Sequence, residues 1–123
     1  MFSRKPHILV VDDEPMLRIL AVDILIEEGF TVAEAENAKV ALGVLEAQAN
    51  IHVLFTDIQM PGAINGMELA HQVHARWPHI LIMITSGRER PSAAEIPAQG
   101  HFLAKPYSPN ELVRGVNELL RSA

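Results

Sequence analysis

The 123-residue chain contains no cysteine. That excludes a disulfide framework, thiolate metal sites and thiol nucleophiles, and it fits a reducing compartment. Positive charge is also scarce: ten Lys and Arg stand against fifteen Asp and Glu, for a formal net charge of −5. A direct nucleic-acid partner is therefore not expected, because a phosphate backbone attracts basic patches. No segment has the length of a membrane span, and Met1 to Pro6 lacks the apolar stretch of a secretory leader. The expectations are no membrane contact and a cytoplasmic location. There is no internal repeat, linker or low-complexity tract either. What remains is an ordinary globular composition, 49% hydrophobic and 20% charged, of a length that suits one domain over 1–123.

Three continuous apolar runs, Ile8–Val11, Val53–Phe55 and Ile80–Ile84, read as strands buried on both faces. Thr31–Glu36 and Phe102–Ala104 read as edge strands. Helical periodicity fills the intervals. Leu17, Leu20, Ala21, Ile24 and Leu25 form the predicted inner stripe of a first helix, which Gly29 stops. Asn37 caps a second, with Ala38, Ala41, Leu42 and Leu45 inward. Leu69, Ala70, Val73 and Trp77 line a third, ended by Pro78. Ser108-Pro109-Asn110-Glu111 supplies a capping Ser, Pro at the first helical position and Glu at the third, opening a last helix with Leu112, Val113, Val116, Leu119 and Leu120 inward.

Strand and helix alternate, which predicts a doubly wound α/β domain: a five-stranded parallel sheet flanked by helices. One interval breaks the rhythm. Ser86–Gly100 holds Pro91 and Pro97 and few large apolar residues. A helix there is expected to be short or irregular, near Ser92–Ile96, with a plain surface loop as the equal alternative.

The acids sit at strand ends. Asp12 and Asp13 close the first strand and Asp57 closes the third. In an open α/β sheet, ligands bind beyond the carboxyl ends of the strands, where the strand order reverses. For the order 2-1-3-4-5 that crevice lies between the first and third strands, so the three carboxylates converge. Crowded like charges resist joint ionisation unless a cation compensates, and an all-oxygen site suits Mg²⁺, with Mn²⁺ as a substitute. Thr85 ends the fourth strand with a hydroxyl, and Lys105 ends the fifth with a positive point charge. Each alone has a bland reading: Asp as a turn or cap residue, Thr bonded to nearby backbone, Lys-Pro as a loop. Their joint placement at successive strand ends points to phosphoryl transfer, with a carboxylate as nucleophile.

With these residues in place, the chain resembles the receiver domain of two-component response regulators over essentially its whole length. The matching pieces are Val10-Val11-Asp12-Asp13, Asp57-Ile58-Gln59-Met60-Pro61-Gly62, Ile84-Thr85-Ser86-Gly87 and Lys105-Pro106-Tyr107. The resemblance implies a flavodoxin-like fold and a signalling switch rather than an enzyme acting on other molecules. It implies phosphorylation of Asp57 by a histidine kinase or His-containing phosphotransfer protein. It also implies Mg²⁺ held by Asp13, Asp57 and the backbone carbonyl of Gln59, with Asp12 acting through water. Thr85 and Phe102 would be the switch pair, acting on a downstream partner the sequence does not name. Lys105-Pro106 would be a cis peptide, and Gln59 and Gly87 would influence the lifetime of the phosphorylated state.

Departures from the family pattern carry their own expectations. The loop from Pro61 to Gly66 is one residue longer than the common form, with Asn65 where Asp is frequent. The shortened stretch between Thr85 and Lys105 argues against the family's common dimer, which uses a regular helix there. Because nothing follows Ala123, a stand-alone receiver is expected, with a degenerate binding module or the receiver part of a hybrid histidine kinase as alternatives. Ile19, Val22 and Ile26 lie opposite the main stripe of the first helix, which suggests a docking patch for a kinase or phosphotransfer partner, with contact against the last helix expected for at least one of the three. His71 and His74 share a helix face without an acid or Cys partner and read as solvated. A flavin-binding relative is disfavoured because Asp12-Asp13-Glu14 would repel a phosphate. An aspartyl-phosphate phosphatase would carry its nucleophile after the first strand, with a second acid two residues on, which this chain does not.

Overall fold

The computed structural model describes residues 6–48 and 50–122; the residues before Pro6, read above for a leader, lie outside that range. The elements run β1 (His7–Val11), α1 (Pro15–Glu27), β2 (Thr31–Ala35), α2 (Ala38–Ala47), β3 (Ile51–Asp57), α3 (Gly66–Arg76), β4 (Leu81–Ser86), β5 (His101–Ala104) and α4 (Pro109–Arg121). All strand pairings are parallel and the order is β2-β1-β3-β4-β5, the doubly wound topology expected.

The sheet divides two cores. Along β1, Leu9 and Val11 face one side, with Leu54, Ile82 and Ile84, under α2 and α3. Ile8 and Val10 face the other, with Val53, Phe55 and Met83, under α1 and α4. Successive strand residues point to opposite faces, so a strand covered on both reads as an unbroken apolar run. Each fully buried Leu or Ile contributes about 1.5–3 kcal/mol.

Local signals fix the helix ends. Asn37 Oδ1 accepts the Val40 N–H at 2.8 Å. Ser108 and Glu111 form a reciprocal capping box, and Pro109 opens α4 as predicted. Gly29 follows α1 at φ 95°, a conformation that Cβ disfavours elsewhere. Asn65 does more than replace an Asp: it caps α3 in a second box with Glu68.

One expectation needs correction. The inner stripe of α1 is Ala21, Val22 and Leu25, not a stripe through Leu20, which is exposed. Val22 is buried in the core that α1 shares with Leu112, Val116 and Leu119 of α4, so it leaves the predicted docking patch. The reason is that α1 is apolar nearly all round, from Met16 to Ile26. Periodicity cannot choose a face there; packing against both the sheet and α4 does.

Of the two alternatives for residues 87–100, a short irregular helix or a surface loop, the loop is what forms. Two turns form there: one closed by the Glu95 N–H donating to the Ser92 carbonyl at 3.0 Å and the Ser92 N–H to Glu95 Oε1 at 2.8 Å, the other by the Gly100 N–H donating to the Pro97 carbonyl at 2.9 Å. Pro97 is buried and lacks the donor a continuing helix would need. Nε2 of His71 lies 2.7 Å from the Glu95 carbonyl and ties the first turn to α3. His71 is thus exposed but not merely solvated.

Gly66 fixes how closely α3 approaches the end of β3. Its N–H donates to the Ile58 carbonyl at 2.9 Å, and a Cβ at Gly66 would overlap the Asp57 carbonyl oxygen. Backbone cannot yield as a flexible side chain does. Gly66→Ala is expected to cost about 1–3 kcal/mol of stability, the usual range for overpacking, measured by urea unfolding.

Candidate functional site

Two strand ends bring the acids together. Asp12 follows β1, Asp57 is the last residue of β3, and Asp12, Asp13 and Asp57 each offer a carboxylate oxygen within 4.8 Å of the others. Asp12 and Asp57 are buried; Asp13 is half-buried. Lys105, just past β5, places Nζ 3.2 Å from Asp12 Oδ2 and 3.3 Å from Asp57 Oδ2. Its backbone N–H donates to the Ser86 carbonyl at 3.0 Å, and the Lys105-Pro106 bond is cis. Thr85 pairs in register with Asp57 across β3 and β4, one residue before the end of its strand.

Asp12 is braced on two sides. Its Oδ1 accepts the Glu14 N–H at 3.0 Å, so Asp12, rather than Asp13 or Glu14, provides the side-chain contact at the start of α1. Arg18 donates from Nη1 to the Asp12 carbonyl at 2.8 Å and from Nε to Glu34 at 2.9 Å. That brace is not readable from the sequence, since Glu34 comes from the neighbouring strand. The same holds for the side chain of Gln59, which accepts from Ser86 Oγ at 2.7 Å and donates from Nε2 to Glu89 Oε2 at 2.7 Å. Phe102 is half-buried on β5, opposite Ile84, against the α2–α3 core.

The electrostatics follow from crowding. Burial pushes the Asp57 carboxyl above its ordinary range; Lys105 opposes this and Asp12 adds to it. Burial lowers the Lys105 ammonium, but Asp12 and Asp57 outweigh it and hold the group above its usual value. Tyr107, edge-on to Phe55 with centroids 5.8 Å apart, is pushed up to about 12 by burial and then by the same two acids.

Among the described residues, the buried side-chain polar atoms without a hydrogen-bond partner are Asp57 Oδ1 and Thr85 Oγ1. Both lie in this crevice, on registered residues. An orphaned carboxylate oxygen beside two more acids is a donor set suited to a hard divalent cation. A cavity of about 690 Å³ between α2, α3 and the Pro61–Ile64 loop lies away from the acids and holds none of these groups.

A family model for the response regulator receiver domain matches residues 8–117. The transcriptional regulatory protein ResD of Bacillus subtilis is 35% identical over 98% of this chain and 50% of its own length. A putative two-component response regulator with a GGDEF domain superposes with a TM-score of 0.87 at 30% identity, covering 97% of this chain and 50% of that one. The response regulator TrrA of Thermotoga maritima, solved in complex with Mg²⁺ and BeF, gives a TM-score of 0.80 at 31% identity over 93% of this chain and 98% of that one. The chain belongs to the response regulator receiver domain family. It spans about half the length of the curated relatives it matches.

Because burial raises the Asp57 carboxyl, its ionised form opposes folding. Between the unfolded and the higher folded pKa the native state binds more protons, so this contribution to stability falls as pH rises. Asp57→Asn is therefore expected to melt higher than the parent at pH 7 without divalent cation. The gap should narrow as pH falls through the folded pKa of Asp57, which calorimetry across pH will check.

Proposed function

We propose that this domain is a phosphoryl-accepting switch in which Asp57 takes a phosphoryl group from a phosphohistidine. The observation that carries it is the pair of buried, unpartnered oxygens, Asp57 Oδ1 and Thr85 Oγ1, in a crevice already holding Asp12, Asp13 and Lys105. A carboxylate oxygen of Asp57 forms the bond to phosphorus as the phosphorus–nitrogen bond breaks, and its electron pair returns to the donor imidazole. Asp13, Asp57 and the Gln59 backbone carbonyl would hold Mg²⁺ directly and Asp12 through water, with Mn²⁺ as a substitute. When bound, the metal supplies charge neutralisation for the phosphoryl oxygens.

The chain's own groups do the rest. Lys105, held between the two buried acids, neutralises a phosphoryl oxygen that would otherwise crowd them. Thr85 turns its unsatisfied hydroxyl to the phosphoryl group, and Phe102 moves into the space it leaves. The phosphoryl group adds about −1.5 to −2 charges, so the attraction is large. Its readout is a changed partner surface near β5 and residues 87–100. With no helix in that segment, a dimer centred on one is not the output. A cytoplasmic setting and a kinase or phosphotransfer partner accompany this reading.

Intact mass after incubation with acetyl phosphate and Mg²⁺ tests the chemistry. One phosphoryl adduct is expected in the parent, none in Asp57→Ala, and an adduct without the conformational change in Thr85→Ala. A folded protein that never forms the adduct would point to a binding module instead.

The docking surface is the exposed side of α1. Ile19 and Ile26 are about half exposed, and Met16 and Leu20 join them in place of the buried Val22. This apolar surface flanks the acidic crevice because α1 begins two residues after Asp13. Ile19→Glu is expected to slow phosphotransfer from the cognate donor at least about tenfold, as loss of an apolar contact at an interface does. Uptake from acetyl phosphate should be unchanged, and equal loss from both donors would exclude the patch.

A further inference from the structure

Asp12 is held from behind by β2, a strand that carries none of the site's acids. Its N–H donates to the Ala35 carbonyl at 3.2 Å. Its own carbonyl accepts Arg18 Nη1 at 2.8 Å, and Arg18 Nε donates to Glu34 Oε1 at 2.9 Å. Both main-chain groups of Asp12 are thus anchored to adjacent positions on β2, one directly and one through Arg18. The Arg18 side chain is only 18% exposed, so the fork is packed in place rather than loose at the surface. A peptide unit is planar, and fixing the Asp12 carbonyl oxygen therefore fixes the N–H and Cα of Asp13 as well. One contact orients both acids.

Charge alone would make Arg18 a poor neighbour for a cation. The guanidinium is always protonated, and Lys105 already places an ammonium between Asp12 and Asp57. What Arg18 offers instead is geometry: Nε and Nη1 form a rigid planar fork, and Glu34 sets its direction. Mg²⁺ demands near-octahedral ligands and tolerates little misplacement. We infer that Arg18 is a positioning residue for the divalent cation: pinned by Glu34, it fixes the Asp12-Asp13 peptide and so raises Mg²⁺ affinity despite its own charge. This rests on the reading of the three acids as a Mg²⁺ site. Arg18 touches no ligand atom of that site; it acts through the backbone.

Mg²⁺ titrations followed by amide chemical shifts give the affinity, and the same spectra verify the fold of each variant. Arg18→Ala is expected to weaken Mg²⁺ binding at least about tenfold, the scale of losing an outer partner of a metal ligand. Mere removal of a positive charge would tighten binding, so the sign of the change separates positioning from charge. Arg18→Lys keeps the charge without the fork and should not restore the affinity. Glu34→Ala and Glu34→Gln lose the same charge, but only the Gln keeps an acceptor for Arg18 Nε. Glu34→Gln should therefore bind like the parent and Glu34→Ala more weakly. In an Arg18→Ala background, Glu34→Ala should add nothing, since the two act as one unit. Parent or tighter affinity in Arg18→Ala, or an undiminished Glu34→Ala effect without Arg18, would overturn the positioning role alone. Where Arg18→Ala loses its fold, the Glu34 pair carries the test, and equal affinities in Glu34→Ala and Glu34→Gln would overturn the role. Absence of Mg²⁺ binding in the parent would overturn the cation-site reading and the positioning role with it.

Discussion

The structure depends on holding like charges together at the end of a parallel sheet. Asp12 and Asp57 are buried, Asp13 stands beside them, and Lys105 answers three carboxylates with one ammonium. Removing carboxylates from water is costly, and a single partner offsets that only in part. The raised Asp57 carboxyl reports the remainder. The fold tolerates this because two cores, one on each face of the sheet, supply stability that does not involve the site. Local bracing keeps the acids in place: Arg18 on the Asp12 carbonyl, the Glu14 amide on its side chain, and Gly66 letting α3 begin against the end of β3.

Much of this arrangement was legible in the residues, for identifiable reasons. Strands buried on both faces announce themselves as unbroken apolar runs, and Ile8–Val11 could hardly be anything else. Ser108-Pro109-Asn110-Glu111 carries its whole capping mechanism within four positions. The Asn65-x-x-Glu68 box carries the same kind of signal within four positions. The convergence of Asp12, Asp13, Asp57, Thr85 and Lys105 needed only the strand order, since each stands at or beside a strand end.

What stayed hidden depends on tertiary choice. On α1, apolar side chains surround the helix, so the pattern carries no phase information; burial of Val22 rather than Leu20 is decided by where α4 packs. Residues 87–100 held two prolines, enough to argue against a long helix but not to show that Ser92 and Glu95 close a turn tied to α3 by His71. The hydrogen bonds that link Gln59 to Ser86 and Glu89 join residues up to thirty positions apart. No local rule pairs them.

The unsatisfied atoms connect the static structure to switching. Inverting a minor state from about 1:99 to 99:1 takes on the order of 5.5 kcal/mol of differential stabilisation. A buried polar group left without a partner costs about 1–3 kcal/mol, and the crevice holds two, Asp57 Oδ1 and Thr85 Oγ1. A ligand that satisfied both while engaging Lys105 would recover a stabilisation of the required order without any new fold. The crevice therefore presents two buried oxygens where the proposed phosphoryl group would bind. On that reading, phosphorylation draws its leverage from oxygens that no other group of the protein engages, and the well-packed cores confine the response to the strand ends and the helix-free segment beside them.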